Sequence, residues 1–454
     1  MWMPVTDSMF LLGESREHPL HVGGLQLYQP PEGAGPDFVR ELHRSMVEYP
    51  EVASLFRRRP QEPVGTLGQL IWRNDDDLDL EYHVRLSALP RPGRVRELLE
   101  LTSRLHGSLL DRHRPLWEFH LVEGLEGGRL ATYTKIHHAL LDGVSALRLL
   151  QRTLSEDPDE RDIPPPWAPR RESSKPRSGA SRSNPLFDAV RAVGELAGLG
   201  PAAVRVVNEL MREQSGQLPF RAPRSMLNVP ITGARRFAAQ GWPLERIRAV
   251  GKAAGATVND VMLAMCAGAL RLYLLDEGAL PDRPLVAAVP VSLHGKAGVA
   301  SGQGNAVGLI LCTLATHLDD AGARLSEIAA GMRRGKRLYA GLTAVQITAL
   351  SAIPMVSLVV PQVPGVQRLS PPPFNVLISN VPGPRRPLYF NGARLQGIYP
   401  VSVPFEGQAL NITVTSYVDD LEFGLTGCRR TVPHLQRLLT HLETALTHLE
   451  KATA

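Results

Sequence analysis

Cysteine is scarce in this chain: 454 residues contain three, Cys266, Cys312 and Cys428. None forms a C-x-x-C pair, which argues against a disulfide framework and a cysteine-ligated zinc site and fits a reducing cytosol. A strong excess of one charge is missing too. The net charge of +5 comes mostly from scattered arginines, without the basic stripe of a nucleic-acid-binding domain. A phosphate-bearing small molecule or an anionic membrane surface suits so mild an excess. The N-terminal stretch MWMPVTDSMFLLGESREHPLHVGG lacks a basic region followed by a long apolar one, so it does not read as a signal peptide. P-loop, G-x-G-x-x-G and G-x-S-x-G patterns are absent, and GQGNAVG at Gly302–Gly308 reads only as a glycine-rich turn.

What is present implies two domains of ordinary size, because one core does not grow to this length. Residues 1–154 alternate strand-like and helical patterns. GGLQLYQ and RLATYTKIHH carry period-two apolar spacing, and GVSALRLLQRTL carries helical spacing. Residues 155–220 read as a linker: 155–185 is rich in proline, serine and charge and is expected to be disordered, and 186–214 reads as a helical crossover broken near Gly200 and Pro201. Residues 221–454 alternate again, with a strong helix in GATVNDVMLAMCAGALRLYLLDEG, strands in RPLVAAVPVSL and FNVLISNVPGP, and a closing amphipathic helix. The expected class is α/β with two lobes. Between Arg337 and Arg368 there is no charged side chain. Gly341 to Val360 is about long enough to cross a bilayer. Its Gln346, hydroxyl residues and Pro354 favour a buried helix pair, with a lipid-contacting element as the alternative.

The stretch KIHHALLDGVSA, from Lys135 to Ala146, carries the densest chemistry. His137 and His138 end a strand pattern, where adjacent side chains point to opposite faces, so the rings are not expected to act as a matched pair. Asp142 precedes a helical run and reads as an N-cap. Gly143 suggests a close approach or an unusual backbone angle. HHALLD lacks the H-E-x-x-H pattern and a third ligand cluster, so no metal site is expected. One neutral imidazole could instead take a proton from a nucleophile. No activated protein nucleophile is evident, which points to direct attack by a substrate hydroxyl or amine on an activated acyl group. Packing of both histidines remains the structural alternative.

HHALLDG matches the HHxxxDG motif of the coenzyme A-dependent acyltransferase superfamily. DSMFLLGESREHPLHVGGLQLY, HRPLWEFHLVEGL, LNVPITGARRFA, GATVNDVMLAMCAGALR, VPVSLH and NVLISNVPGP follow in the order seen in bacterial wax ester synthase/diacylglycerol acyltransferases. The chain resembles that family over nearly its whole length, residues 155–185 excepted. The resemblance implies two chloramphenicol-acetyltransferase-like lobes with the site in a tunnel between them. It implies transfer of a long-chain acyl group from acyl-CoA, the co-substrate, to the hydroxyl of diacylglycerol or a long-chain fatty alcohol, with no cofactor. It assigns the general base to His138 and supporting roles to His137, Asp142 and Gly143. It places Asn259 near the base, to orient it or to stabilise an oxyanion. It suggests substrate contacts at Pro115, Leu116, Trp117, Asp260, Ser379 and Asn380, although Trp117 could be a core anchor, Asn259 and Asp260 caps, and Asn380 a turn residue. Cytoplasmic placement is expected, with peripheral contact to the inner face of the cell membrane or to lipid droplets. The rival readings are a polyketide- or phenol-directed acyltransferase, a non-catalytic lipid-droplet protein and a metal-dependent hydrolase.

Overall fold

The computed structural model describes residues 1–62, 70–169, 222–292, 307–339 and 371–454. The first part of the chain runs α1 (Val5–Gly13), β1 (His21–Gln29), α2 (Phe38–Val47), β2 (Arg58–Gln61), β3 (Ile71–Asn74), α3 (Leu80–His83), β4 (Val84–Ala88), α4 (Val95–His106), β5 (Trp117–Glu123), β6 (Leu130–His137) and α5 (Gly143–Gln151). The second part runs β7 (Arg235–Pro243), α6 (Leu244–Ala254), α7 (Val258–Asp276), β8 (Val286–Ser292), β9 (Val307–Thr313), α8 (Ala321–Tyr339), β10 (Val376–Val381), β11 (Tyr389–Phe390), β12 (Ala393–Val401), β13 (Leu410–Tyr417), β14 (Asp420–Cys428) and α9 (Arg437–Thr453).

These strands form two six-stranded mixed sheets, ordered β11-β12-β1-β6-β5-β4 and β7-β14-β13-β10-β8-β9, and a β2–β3 ribbon. In the first sheet β6 lies between β1 and β5, antiparallel to both. Every residue of β6 is buried, as expected of a central strand covered on both faces. Gly24 lets α5 settle on β1, because a Cβ there would stand 2.7 Å from a methyl of Leu150. In the second lobe α7 is the core helix. Residues Val261 to Ala267 are fully buried, packed against the sheet and against α8 and α9. Its start is fixed by a capping box, Thr257 with Asp260. The helix is long and apolar enough to cross a membrane, but its burial gives it the character of a core helix.

Two features depart from the sequence reading. The lobes exchange chain: β11 and β12, from within 221–454, complete the first sheet, where β12 pairs with β1 from Gly23↔Val401 to Gln29↔Arg394. Hydrophobic alternation shows that a strand exists but not which sheet it joins. The second correction concerns 155–185. Its described part, 155–169, is ordered. Ser155 bridges Tyr389, the Ile163 amide donates to the Asn391 side chain at 2.9 Å, and Trp167 is 0% exposed, stacked on Trp117 at 5.2 Å. Polar, proline-rich composition predicts disorder only when nothing anchors the chain, and one buried indole supplies that anchor. The rest of that linker, the 186–214 crossover and Gly341–Val360 lie outside the described residues.

Candidate active site

β6 delivers the two histidines to the end of the first sheet, and the backbone holds each separately. The His137 amide donates to the Leu116 carbonyl at 3.0 Å and the His138 amide to the Leu20 carbonyl at 2.9 Å. The two rings have different neighbours. His137 is 0% exposed. Its Nδ1 accepts from the Ala139 amide at 3.0 Å, which places the proton of the neutral ring on Nε2. That Nε2 faces Glu14 Oε1 at 3.3 Å.

The His138 ring stacks on Phe10 of α1, centroids 4.6 Å apart and planes 12° from parallel. Its Nδ1 is buried without a partner from another residue. Burial pushes the His138 imidazole down to about 4, with the nearby His137 adding to the effect and the Asp142 carboxylate opposing it. The ring is therefore neutral at physiological pH and competent to accept a proton.

Asp142 caps α5: Oδ1 accepts the Ser145 amide at 2.7 Å and Oδ2 the Ser145 hydroxyl at 3.1 Å. It acts on His138 through its field and fixes the turn. Gly143 opens α5 with room to spare. A Cβ there would touch only Val22, at 3.9 Å, and the residue is not among the positive-φ glycines. Neither the close approach nor the unusual backbone angle suggested by sequence is found.

Pro115, Leu116 and Trp117 are buried. The Trp117 indole donates to the Phe56 carbonyl at 2.8 Å and the ring stacks on His83 at 4.5 Å. Of the three, Leu116 seats His137 through its carbonyl, and the Trp117 ring serves as a core anchor. Asp260 is likewise a cap, its Oδ2 accepting from the Thr257 amide at 2.9 Å and hydroxyl at 2.7 Å.

Asn259 and Asn380 do come together, from α7 and β10. Asn380 Nδ2 donates to Asn259 Oδ1 at 3.4 Å. That bond leaves Asn259 Nδ2 buried with no partner. Ser379 precedes Asn380 on β10, in parallel register with Thr413. Among the described residues no hydrogen bond joins the asparagine pair to the histidines, and no group of three His, Cys, Asp or Glu side chains is arranged to hold a metal ion.

Three residues absent from the sequence reading shape the site: Phe10, Glu14 and Arg112. The Arg112 guanidinium meets Glu14 Oε2 at 3.1 Å and the Leu11 carbonyl at 2.6 Å. No local pattern distinguishes this buried carboxylate from its exposed neighbour Glu17, so sequence offered no signal for it.

Comparison with known proteins gives a consistent result. The model of the wax ester synthase/diacylglycerol acyltransferase catalytic domain matches residues 3–262, and that of the family's C-terminal domain matches 303–450. A relative from Mycobacterium tuberculosis, named a probable diacylglycerol O-acyltransferase, is 55% identical over 97% of this chain and 96% of its own length. Among solved structures, a wax ester synthase/diacylglycerol acyltransferase from Marinobacter aquaeolei is 45% identical, with a TM-score of 0.79 over 100% of both chains. The first condensation domain of the calcium-dependent antibiotic synthetase shares the fold, with a TM-score of 0.57 at 16% identity over 100% of this chain and 96% of that one.

Proposed function

The chain belongs to the wax ester synthase/diacylglycerol acyltransferase family and is an acyltransferase, and from that premise we propose the substrates and the chemistry of its site. The acyl donor is a long-chain acyl-CoA. The acceptor is the hydroxyl of diacylglycerol, giving triacylglycerol, or of a long-chain fatty alcohol, giving a wax ester. The observation that carries this reading is the buried, neutral His138 held against Phe10 at the end of β6.

In the proposed reaction His138 accepts the hydroxyl proton as the oxygen attacks the thioester carbonyl. The tetrahedral intermediate then carries an oxyanion. Asn259 Nδ2 is the donor offered to it. Asn380 fixes the other end of the amide, so the donor is oriented before the charge develops. Collapse breaks the C–S bond, and the imidazolium returns its proton to the leaving CoA thiolate. The Asp142 field favours the protonated ring during that interval.

Palmitoyl-CoA offered with diacylglycerol, hexadecanol and phenolic acceptors tests the reading. Thiol release should accompany triacylglycerol or wax ester formation. His138→Ala should stay folded and lose roughly 10²–10⁴-fold in turnover, the usual worth of a general base. Near-normal turnover by a folded His138→Ala sinks the mechanism, and a product on phenolic acceptors alone sinks the substrate assignment.

Peripheral attachment to the cytoplasmic face of the membrane or to lipid droplets belongs to the same proposal. The substrates are insoluble, the net charge is +5, and Met1, Trp2 and Leu12 are 60–69% exposed near the N-terminus. Flotation with anionic liposomes at low salt is the expected outcome. Failure to float under those conditions would remove it.

A further inference from the structure

We propose that Glu14 is the positioning residue of the histidine pair: one carboxylate, locked by Arg112, that faces the proton-bearing nitrogen of His137 and fixes the backbone carrying His138. The proposal rests on the assignment of His138 as the base.

The geometry is specific. The Glu14 side chain is 1% exposed. Its Oε1 accepts the Leu20 amide at 3.1 Å. The carbonyl of that same residue, Leu20, accepts the His138 amide at 2.9 Å, so one residue just before β1 relays the carboxylate's grip to the base. The same Oε1 stands 3.3 Å from His137 Nε2, the nitrogen that must carry the proton because Nδ1 is occupied by the Ala139 amide. Oε2 is taken by Arg112 at 3.1 Å. Glu14 immediately follows α1, whose Phe10 packs on the His138 ring. A single turn of chain thus brings a carboxylate to one ring and an aromatic face to the other.

Burial alone would raise the Glu14 carboxyl, but His137, the Leu20 amide and Arg112 outweigh it and keep the group ionised. The charged or titratable groups that bear on this pair are Arg112, His21, Lys135 and His138. Arg112 is the cation paired directly with the carboxylate. A buried carboxylate so completely used is a costly feature unless its geometry serves a purpose. Here it holds the turn that presents the base. A base displaced by even about 1 Å loses on the order of 10²-fold in rate.

The test uses the full-length enzyme with palmitoyl-CoA and diacylglycerol. Glu14→Gln keeps the size and an acceptor for Leu20, but loses the charge facing Arg112 and His137. Its kcat should fall at least about 10-fold with KM for either substrate changed less than about 3-fold. Glu14→Asp, which keeps charge but shortens reach, should recover part of that loss. In protein labelled with 15N-histidine, the His137 Nε2 resonance should shift in Glu14→Gln, where the facing charge is gone, and return toward its parent position in Glu14→Asp. A folded Glu14→Gln with unchanged kcat and only a lower melting temperature overturns the proposal. So does a rise in KM alone, which would make Glu14 a substrate contact. His138→Ala is measured in parallel. If it retains turnover, the base assignment fails and takes this proposal with it; if it is inactive while Glu14→Gln is not, only the positioning role fails.

Discussion

The two lobes have the same architecture, a six-stranded mixed sheet packed with helices, but they bury different chemistry. The second lobe is filled by α7, apolar on every side from Val261 to Leu270, with aliphatic residues of α8, α9 and the sheet around it, and its buried polar groups include Arg324, Asn375 and Glu422. The first lobe buries His21, His83, His106, His120, His137 and His138, together with Glu118 and Lys135; among the described residues no histidine of the second lobe is buried. Buried polar groups need partners, and here some are hydrogen-bonded while His21 Nδ1, His120 Nδ1, His137 Nε2 and His138 Nδ1 have no hydrogen-bond partner. His21 and His106 contact backbone carbonyls at 2.7 and 3.0 Å, and Lys135 reaches the Leu105 carbonyl at 3.1 Å and Glu118 at 3.5 Å. An apolar core gives stability. Hydrogen bonds within a polar core also fix orientation along the strand leading to His138. One lobe therefore holds the proposed base, and the other presents Asn259 and Asn380.

Paired core truncations test this division most severely. Trp167→Ala in the first lobe and Leu263→Ala in the second each remove a fully buried side chain. Losses of roughly 3–5 and 2–5 kcal/mol are expected, measured by denaturant unfolding. They should differ in turnover. Trp167 stacks on Trp117, whose neighbour Leu116 holds the His137 backbone, so the folded Trp167→Ala enzyme should also lose kcat. The folded Leu263→Ala enzyme should keep it. Equal kcat losses in both would erase the distinction between the histidine-bearing lobe and the other.

Much of this was legible in sequence and some of it was not, for identifiable reasons. The histidine strand, the Asp142 cap and the long α7 announce themselves through local periodicity and capping chemistry, which depend on residues a few positions apart. Strand exchange by β12, the docking of 155–169 and the Glu14–Arg112–His137 cluster depend on partners tens to hundreds of residues away. Trp117 and Asp260 sit in motifs that suggest substrate contacts, yet they serve as a core anchor and a helix cap. A motif therefore identifies the residues of a site without stating which of them face the reactants.

Acid and alkali should separate the lobes next. In the native state His138 is pushed down to about 4 and His106 to about 3, mainly by burial. The unfolded chain binds those protons near pH 6.5. Between these values the unfolded state carries more protons, so stability falls as pH drops from about 6.5 toward 4. For His138 alone the loss is on the order of 3 kcal/mol. In the second lobe, burial pushes Glu422 up to about 8. There the native state keeps a proton that the unfolded chain releases near 4.5, so stability falls as pH rises from about 4.5 to 8. Unfolding free energies across this range should show the acid loss diminished in His106→Gln and the alkaline loss diminished in Glu422→Gln. If both variants follow the parent curve, burial does not govern these groups.

The smallest expected effect concerns Gly143, the last residue of the HHxxxDG motif. If the first lobe's backbone demanded glycine there, Gly143→Ala would strain the turn that Asp142 caps. The geometry demands nothing of the kind. The added methyl would meet Val22 at 3.9 Å, ordinary contact, and the position opens α5, where alanine suits a helix better than glycine by up to about 1 kcal/mol. Gly143→Ala should therefore fold with stability unchanged or raised by less than about 1 kcal/mol, read by thermal unfolding. Its kinetics then carry the information. An undiminished kcat would make the glycine incidental to the chemistry. A lower kcat/KM in an equally stable protein would mean that the missing methyl leaves room for a reactant beside His138, so that the glycine serves the reaction rather than the fold. A marked loss of stability would instead show that the turn carries strain that its backbone angles do not reveal.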